Sequence, residues 1–148
     1  MMNELGQLIL LGEFEKANLL ESTMTDDEVY NCIMEAAINS ESVMFYLFYL
    51  NKLIKNENAK DHYFASLILA HPLNFLEGAY DQALYHAKRA VQLDENDISY
   101  KEYYLFFYNQ LDFIVSVPDE EFEKCCDEIL KVDENNIAAN SVKNRIKS

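Results

Sequence analysis

The stretch Gly78-Ala79-Tyr80-Asp81-Gln82-Ala83, followed by Ala87 and Ala90, decides the fold of this chain. Its later alanines lie three and four positions apart, and this spacing places them on one face of a helix. A neighbouring helix can approach such a face closely, while Tyr80 fills the space at the incoming corner. The stretch therefore predicts packed helices, of which residues 79–93 form one.

Two other stretches of the chain share this pattern. Gly12-Glu13-Phe14-Glu15-Lys16-Ala17 and Glu120-Glu121-Phe122-Glu123-Lys124-Cys125 also have an aromatic residue at the third place and a small residue at the sixth. The second and third copies end alike, in Leu93-Asp94-Glu95-Asn96-Asp97-Ile98 and Val132-Asp133-Glu134-Asn135-Asn136-Ile137. Such copies indicate a helical array in which one unit stacks on the next.

The stretch from Gly78 to Asp97 resembles the tetratricopeptide repeat (TPR), in which a small-aromatic corner opens the second helix and a Leu-Asp-Pro-like turn closes it. The chain departs from the family where Glu95 and Glu134 replace the usual proline, and where Leu67 and His71 replace tryptophan and glycine. The resemblance implies an all-α fold whose antiparallel helical hairpins stack as a small TPR-like right-handed superhelix.

Length and composition favour the same fold class. The chain has 148 residues, half of them hydrophobic, which is enough for one core and too little for two ordinary domains. We therefore expect a single all-helical domain over residues 1–148. Three glycines and two prolines are too few for the frequent turns of a sandwich or barrel.

Caps and hydrophobic periods divide the chain into eight or nine predicted helices. Thr25-Asp26-Asp27-Glu28 is a capping box that starts one of them. Pro72 is expected to bend or break the helix that begins near Ala59, and Pro118 occupies a favourable first-turn position. The predicted spans are 2–11, 13–22, 25–39, 42–55, 59 onward, 79–93, 97–113, 118 onward and 136–147.

Acidic residues outnumber basic ones by 26 to 12, which gives a formal charge of −14. This charge repels nucleic acid and anionic membranes, because both bind proteins through Lys and Arg, so we expect neither as a partner. The same field would speed the association of a basic protein partner. The alternative explanation is that the charge only keeps the protein soluble.

Several features predict a cytoplasmic protein. The N-terminus lacks the basic start and apolar core of a signal peptide, and no apolar run approaches the roughly 20 residues of a membrane span. Cys32, Cys125 and Cys126 are odd in number and two are adjacent, which suits a reducing compartment. We expect all three to be small core residues.

Enzymatic motifs are absent from the sequence. There is no glycine-rich phosphate loop, no His-Glu-x-x-His and no Cys-x-x-Cys. His62, His71 and His86 do not have the spacing that builds a metal site from one helix. We therefore expect no catalytic, cofactor-binding or metal-binding residue. His86 is expected at a surface or corner, and His71 is expected to satisfy the backbone beside Pro72.

Two groups of residues are candidates for binding a partner. The aromatic runs 45–50 and 100–108 show no clean polar face, so their phenylalanines are expected in the core. Their tyrosines are expected at an interface, since tyrosine is enriched in binding hot spots and a superhelix offers a concave surface. Acidic clusters at helix corners would form a rim for a cationic partner, or would only complement helix dipoles. The predicted partner-binding residues are Tyr46, Tyr49, Asp94, Glu95, Asp97, Tyr100, Tyr103, Tyr104, Asp119, Glu120 and Glu121.

Together these features predict a protein that acts by binding another protein. Its overall character is similar to that of the immunity proteins of bacterial polymorphic-toxin systems of the contact-dependent inhibition type. That resemblance implies a cognate toxin as the partner, a basic nuclease, and inhibition by occlusion. Two alternatives are a TPR-type adaptor or chaperone that binds peptides or assembly intermediates, and a small carboxylate-dependent hydrolase.

Overall fold

A computed structural model describes residues 1–110 and 117–148 of the chain. Every helix or strand assigned within these residues is an α-helix, which confirms the predicted all-α fold class. The helices are α1 (Glu4–Leu10), α2 (Phe14–Glu21), α3 (Asp26–Ser40), α4 (Met44–Lys55), α5 (Ala59–Ala70), α6 (Ala79–Leu93), α7 (Ile98–Leu105), α8 (Asp119–Val132) and α9 (Ile137–Lys147).

Local sequence signals set the limits of these helices. The Thr25 side chain accepts a hydrogen bond from the Glu28 N–H at 3.2 Å, which starts α3 as the capping box predicts. Helix α5 ends immediately before His71 and Pro72, so the predicted break is confirmed. Helix α6 covers residues 79–93, as the spacing of its alanines predicts.

The three repeat copies lie near the starts of α2, α6 and α8. Their sixth residue is buried in each copy, as Ala17, Ala83 and Cys125. In the first two copies the opening glycine has a positive φ, 75° at Gly12 and 80° at Gly78, a conformation that glycine adopts without strain. The repeat therefore has a structural cause: the glycine turns the chain, and the small residue admits a neighbouring helix.

Helix α7 is shorter than predicted. The sequence predicts a helix over 97–113, but α7 ends at Leu105 and residues 106–109 form turns. The backbone N–H groups of residues 106 to 108 bond to carbonyls three residues earlier, which tightens the end of the helix. Asn109 then adopts a left-handed φ of 63°, which ends this run of turns. Residues 111–113 of the prediction lie outside the described residues.

One hydrophobic cluster runs from Leu5 in α1 to Val142 in α9. Consecutive helices from α4 to α9 pack on one another, α5 and α6 most extensively, while α3 also contacts α5 and α7 contacts α9. Ala83, Ala87 and Ala90 are all buried, which confirms the small-residue face of α6. None of the described helices is both long and apolar enough to cross a membrane. The superhelical arrangement stays a prediction.

The predicted core residues divide into those that are buried and those that are not. Cys125 and Cys126 are buried as expected, whereas Cys32 is only partly buried. Of the phenylalanines in the two aromatic runs, Phe106 is 40% exposed. It follows the end of α7, so its side chain is not enclosed by a further turn of helix. The other three, Phe45, Phe48 and Phe107, are fully buried.

Candidate functional site

Three tyrosines of two helices lie together: Tyr63 of α5, and Tyr100 and Tyr103 of α7. Tyr30 of α3 is close enough to act electrostatically on Tyr63 and Tyr103, and we call these four residues the tyrosine face. The Tyr63 ring lies 5.4 Å from the Tyr100 ring and 5.0 Å from the Tyr103 ring, centroid to centroid. Burial raises the pKa of Tyr63, and the neighbouring Tyr30 adds to this effect. Tyr30 is 42% exposed, and Phe106 extends the face by stacking on Tyr103 at 6.3 Å.

Carboxylates border the tyrosine face beside Tyr100. Burial raises the pKa of Tyr100 to about 12, and the carboxylates of Asp97, Asp94 and Asp26 contribute in the same direction. Asp97 caps the N-terminus of α7, and Asp26 pairs with Lys60 at 3.4 Å. Asp94 is exposed and forms no ion pair with any residue in the described part of the chain. Three carboxylates and one lysine therefore give this edge a negative potential.

The two α7 tyrosines of the face differ in their hydroxyl groups. The Ser66 hydroxyl donates to the Ala83 carbonyl at 2.7 Å, so the Tyr103 hydroxyl, 2.8 Å away, donates to the Ser66 oxygen. Burial raises the pKa of Tyr103. The Tyr100 hydroxyl has no hydrogen-bond partner among residues 1–110 and 117–148.

A groove of 680 Å³ lies between α6 and α8, with Lys101 and Tyr104 of α7 among its lining residues. The Tyr104 hydroxyl donates to the Glu121 carboxylate at 3.3 Å, and Lys88 pairs with the same carboxylate at 3.1 Å. Lys101 is 8% exposed and pairs with Glu128 at 3.2 Å. The groove is therefore mixed in charge, and most of its charged groups already have internal partners.

The structure divides the predicted binding residues among several places. Tyr100, Tyr103, Asp94 and Asp97 belong to the tyrosine face and its acidic edge, whereas Glu95, Tyr104 and Glu121 line the groove. Asp119 and Glu120 lie in the first turn of α8, where they complement the helix dipole. Both are exposed and form no ion pair within the part of the chain that the structure describes.

Two of the predicted interface tyrosines are core residues in the structure. Tyr49 is fully buried, because its ring stacks on Phe64 at 5.4 Å and its hydroxyl donates to Glu21 at 2.6 Å. Tyr104 is 5% exposed, and its ring stacks on Phe122 at 5.0 Å. A buried tyrosine needs a partner for its hydroxyl, and a carboxylate of the same chain supplies one in each case. Neither ring is presented to a partner.

A hydrogen-bonded chain of polar side chains, which we call the histidine chain, joins α4, α5 and α6. It consists of Tyr46, the buried His86 and His62, and the exposed Glu57. The expected surface or corner position of His86 is wrong: His86 is 2% exposed, since α6 turns it toward α4 and α5. Its Nε2 lies 2.9 Å from the Tyr46 hydroxyl, and its Nδ1 lies 2.8 Å from Nδ1 of His62. At the far end, Nε2 of His62 lies 2.9 Å from the Glu57 carboxylate, which Arg89 also contacts at 2.7 Å.

With both imidazoles neutral, one arrangement of protons satisfies the histidine chain. A carboxylate only accepts, so His62 donates its Nε2 proton to Glu57 and accepts at Nδ1. His86 then donates its Nδ1 proton to His62, and Tyr46 donates its hydroxyl proton to Nε2 of His86. Burial, and after it the neighbouring His62, lowers the pKa of His86 to about 4. Hydrogen bonds from Arg89 and His62 lower the pKa of Glu57.

Sequence reasoning missed the histidine chain and half of the tyrosine face, although each leaves a signal. His62 and His86 are equally distant from residue 74, inside the connection between α5 and α6, so they face one another across a helical hairpin. Tyr30, Tyr63 and Tyr100 are separated by 33 and 37 residues, close to the length of about 34 that one TPR unit has. A search for histidines placed symmetrically about a helical hairpin finds the first group, and a search for tyrosines about one TPR length apart finds the second.

Among the described residues, no group of three or more His, Cys, Asp and Glu side chains could hold a metal ion. No protein-family model matches the chain, and neither a curated protein nor a solved structure is significantly similar to it.

Proposed function

We propose that this chain is a non-enzymatic protein-binding module and acts as an immunity protein, an antitoxin that binds and occludes a basic toxin domain of the nuclease class. The observation that carries the proposal is the acidic surface. The net charge is −14, and Asp94, Glu95, Asp119 and Glu120 are exposed without an ion pair in the described part of the chain. Such charges draw a basic partner over a distance and speed its association.

The tyrosine face supplies the contacts that would hold the partner after the encounter. Tyrosine buries a large amphipathic surface at a low cost in side-chain entropy, which is why it is enriched in binding hot spots. The Tyr63 ring contacts the rings of both Tyr100 and Tyr103, so the three rings are held in place before a partner arrives. Contacts of α3 with α5 and of α7 with α9 support a TPR-like stacking that brings alternate helices to one side.

A cytoplasmic location fits the same proposal, because an antitoxin has to meet the toxin where the toxin acts. The support for it is the state of the thiols: Cys32, Cys125 and Cys126 are all free. Free, partly or fully buried thiols are typical of a reducing compartment.

The proposal requires a toxin gene immediately upstream of the gene for this protein. The test is to mix the protein with the product of that upstream gene, and to follow both complex formation and toxin activity. We expect a one-to-one complex in which toxin activity is lost at equal molar amounts. Because charge steers the encounter, the association rate constant should fall about tenfold between 50 and 300 mM salt. The double variant Asp119→Asn/Glu120→Gln tests the role of charge. Its association rate constant should be lower than that of the wild type, and its dissociation rate constant should be the same. An active toxin in the presence of excess protein contradicts the proposal.

The groove between α6 and α8 favours a second candidate function, that of an adaptor or chaperone. Its volume is 680 Å³, and two of its lining residues, Lys124 and Glu95, form no ion pair within the described residues, so the groove offers both charges to an extended peptide. In the same experiment, an adaptor would bind several peptides weakly and leave toxin activity unchanged.

A further inference from the structure

We propose that the tyrosine face binds an arginine-rich segment of the partner, with guanidinium groups stacked on its rings and ion-paired to the carboxylates at its edge. This inference rests on the proposed protein-binding function and names the chemistry that the partner presents. The occupant follows from the carboxylates that flank the face: Asp26 begins α3 four residues before Tyr30, and Asp97 caps α7 three residues before Tyr100. The Asp97 N–H bonds to the carbonyl of Asp94 at 3.2 Å, which brings a third carboxylate to this edge. Among the described residues, only Lys60 forms an ion pair with any of the three.

The rings of the face can bind a cation in a second way. The π-face of a tyrosine is negative, so a cation within about 6 Å of its centroid is attracted. The chain already uses this contact internally, since Arg145 lies 5.4 Å from the centre of the Tyr108 ring and Lys52 lies 5.2 Å from that of Tyr49. Tyr30 and Phe106 are about two-fifths exposed, 42% and 40%, and have room for the same contact from outside.

Arginine fits this combination better than lysine does. A guanidinium group is planar, stacks on an aromatic ring and can donate to two carboxylate oxygens at once. A lysine ammonium group is a compact, strongly hydrated charge that gains less from a ring. A surface that offered only carboxylates would bind both residues about equally, whereas a surface of rings beside carboxylates distinguishes them.

The experiment uses two probes of equal charge, nona-arginine and nona-lysine, with affinities measured by isothermal titration calorimetry in 100 mM salt. We expect nona-arginine to bind the full chain at least about fivefold more tightly, which corresponds to roughly one additional cation–π contact. Tyr30→Leu and Tyr100→Leu should each remove most of that preference, while Tyr85→Leu should keep it. Tyr85 is a suitable control because it is 52% exposed on α6, outside the tyrosine face.

A further variant separates the rings from the charges. Asp94→Asn should weaken both probes by about twofold and leave the arginine preference unchanged, since it removes one exposed carboxylate and no ring. Circular dichroism establishes that each variant is folded, and Tyr30, the more exposed of the two tyrosines, provides the variant that least disturbs the core. Equal affinity for the two probes, or a preference that survives in both tyrosine variants, overturns the inference.

The inference and the proposed function fail separately. If the toxin domain is inhibited equally by the wild type and by the two tyrosine variants, the immunity function stands and the tyrosine face is not the docking surface. If the arginine probe binds the face but no toxin is inhibited, the docking chemistry stands and the immunity function is wrong. Binding of a membrane or nucleic acid to the face in place of the basic probe would contradict both.

Discussion

His62 and Tyr63 are neighbours on α5, yet they belong to two contrasting regions of the molecule. His62 is 3% exposed and lies in the histidine chain, where each ring nitrogen has a partner from another side chain. Tyr63 belongs to the tyrosine face, where Tyr30 remains exposed and the Tyr100 hydroxyl has no hydrogen-bond partner among the described residues. Polar aromatic groups with complete internal partners stabilise a fold, whereas those with spare capacity can bind another molecule.

The largest expected effect comes from the histidine chain. His86→Ala should lower the free energy of unfolding by about 3 to 4 kcal/mol, because it leaves a cavity and removes the hydrogen-bond partners of Tyr46 and His62. Urea denaturation at pH 7.5 measures the change. Tyr85→Ala, one position earlier and 52% exposed, should cost about 1 kcal/mol or less. Equal losses at the two positions would show that the histidine chain is not a stabilising element.

The second prediction concerns pH. The folded pKa of His86 is lowered from 6.5 to about 4, so the unfolded chain binds the proton first as the pH falls. The contribution of His86 to stability is therefore complete well above pH 6.5 and decreases toward pH 4, by roughly 2 to 3 kcal/mol at pH 4.5. His71, whose pKa burial also lowers, contributes in the same direction. The measurement is urea denaturation between pH 8 and 4.5 for the wild type and His86→Leu. Identical pH dependence in the two proteins would contradict the prediction.

A smaller effect separates the two tyrosines of α7. Tyr103→Phe should lower the free energy of unfolding by about 1 kcal/mol, because the Ser66 oxygen loses its donor. Tyr100→Phe should leave it nearly unchanged, because the Tyr100 hydroxyl has no partner within the described residues. Thermal denaturation of the two variants side by side measures the difference. If Tyr100→Phe lowers the stability as much as Tyr103→Phe does, the Tyr100 hydroxyl has a hydrogen-bond partner within the fold and the prediction is wrong.

The smallest effect lies at the acidic edge. Asp94 caps the C-terminus of α6, where a negative charge opposes the helix dipole, so Asp94→Asn should raise the free energy of unfolding by about 0.5 kcal/mol. Asp119→Asn, in the first turn of α8, should lower it by a similar amount, because there the charge complements the dipole. Both changes should shrink at high salt. An increase in the free energy of unfolding for Asp94→Asn supports the contrast between the two regions, since it shows that Asp94 carries a charge that does not stabilise the fold. A decrease there contradicts it.

Local signals predicted most of the helices. The limits of α6 follow from its alanine spacing, the start of α3 from its capping box, and the end of α5 from Pro72. These features act within one or two turns, so the sequence displays them directly. The end of α7 was missed because the run Tyr103-Tyr104-Leu105-Phe106-Phe107 has no breaker. After Leu105 the backbone tightens into turns, and the left-handed Asn109 closes them; asparagine also occurs inside helices, so it gave no warning of this end.

The candidate site was only partly predictable. Tyr100 and Tyr103 were identified from a local aromatic run, but Tyr30 and Tyr63 join them through contacts between helices that are distant in sequence. The burial of Tyr49 depends on Glu21, which is 28 residues away. A search confined to single helices also misses His62 and His86, because their spacing of 24 residues spans a hairpin. Aromatic composition indicated that some tyrosines bind a partner, and only the packing decides which.

The direction of the hydrogen bonds in the histidine chain determines what Tyr46 offers at the protein surface. With both imidazoles neutral, the Glu57 carboxylate accepts at one end, so each proton is donated along the chain toward Glu57, and the hydroxyl proton of the half-buried Tyr46 goes to His86. Toward solvent, Tyr46 therefore offers lone pairs alone. Any molecule that binds to the Tyr46 oxygen has to act as the hydrogen-bond donor. The arrangement of two buried imidazoles therefore determines whether a position at the surface donates or accepts.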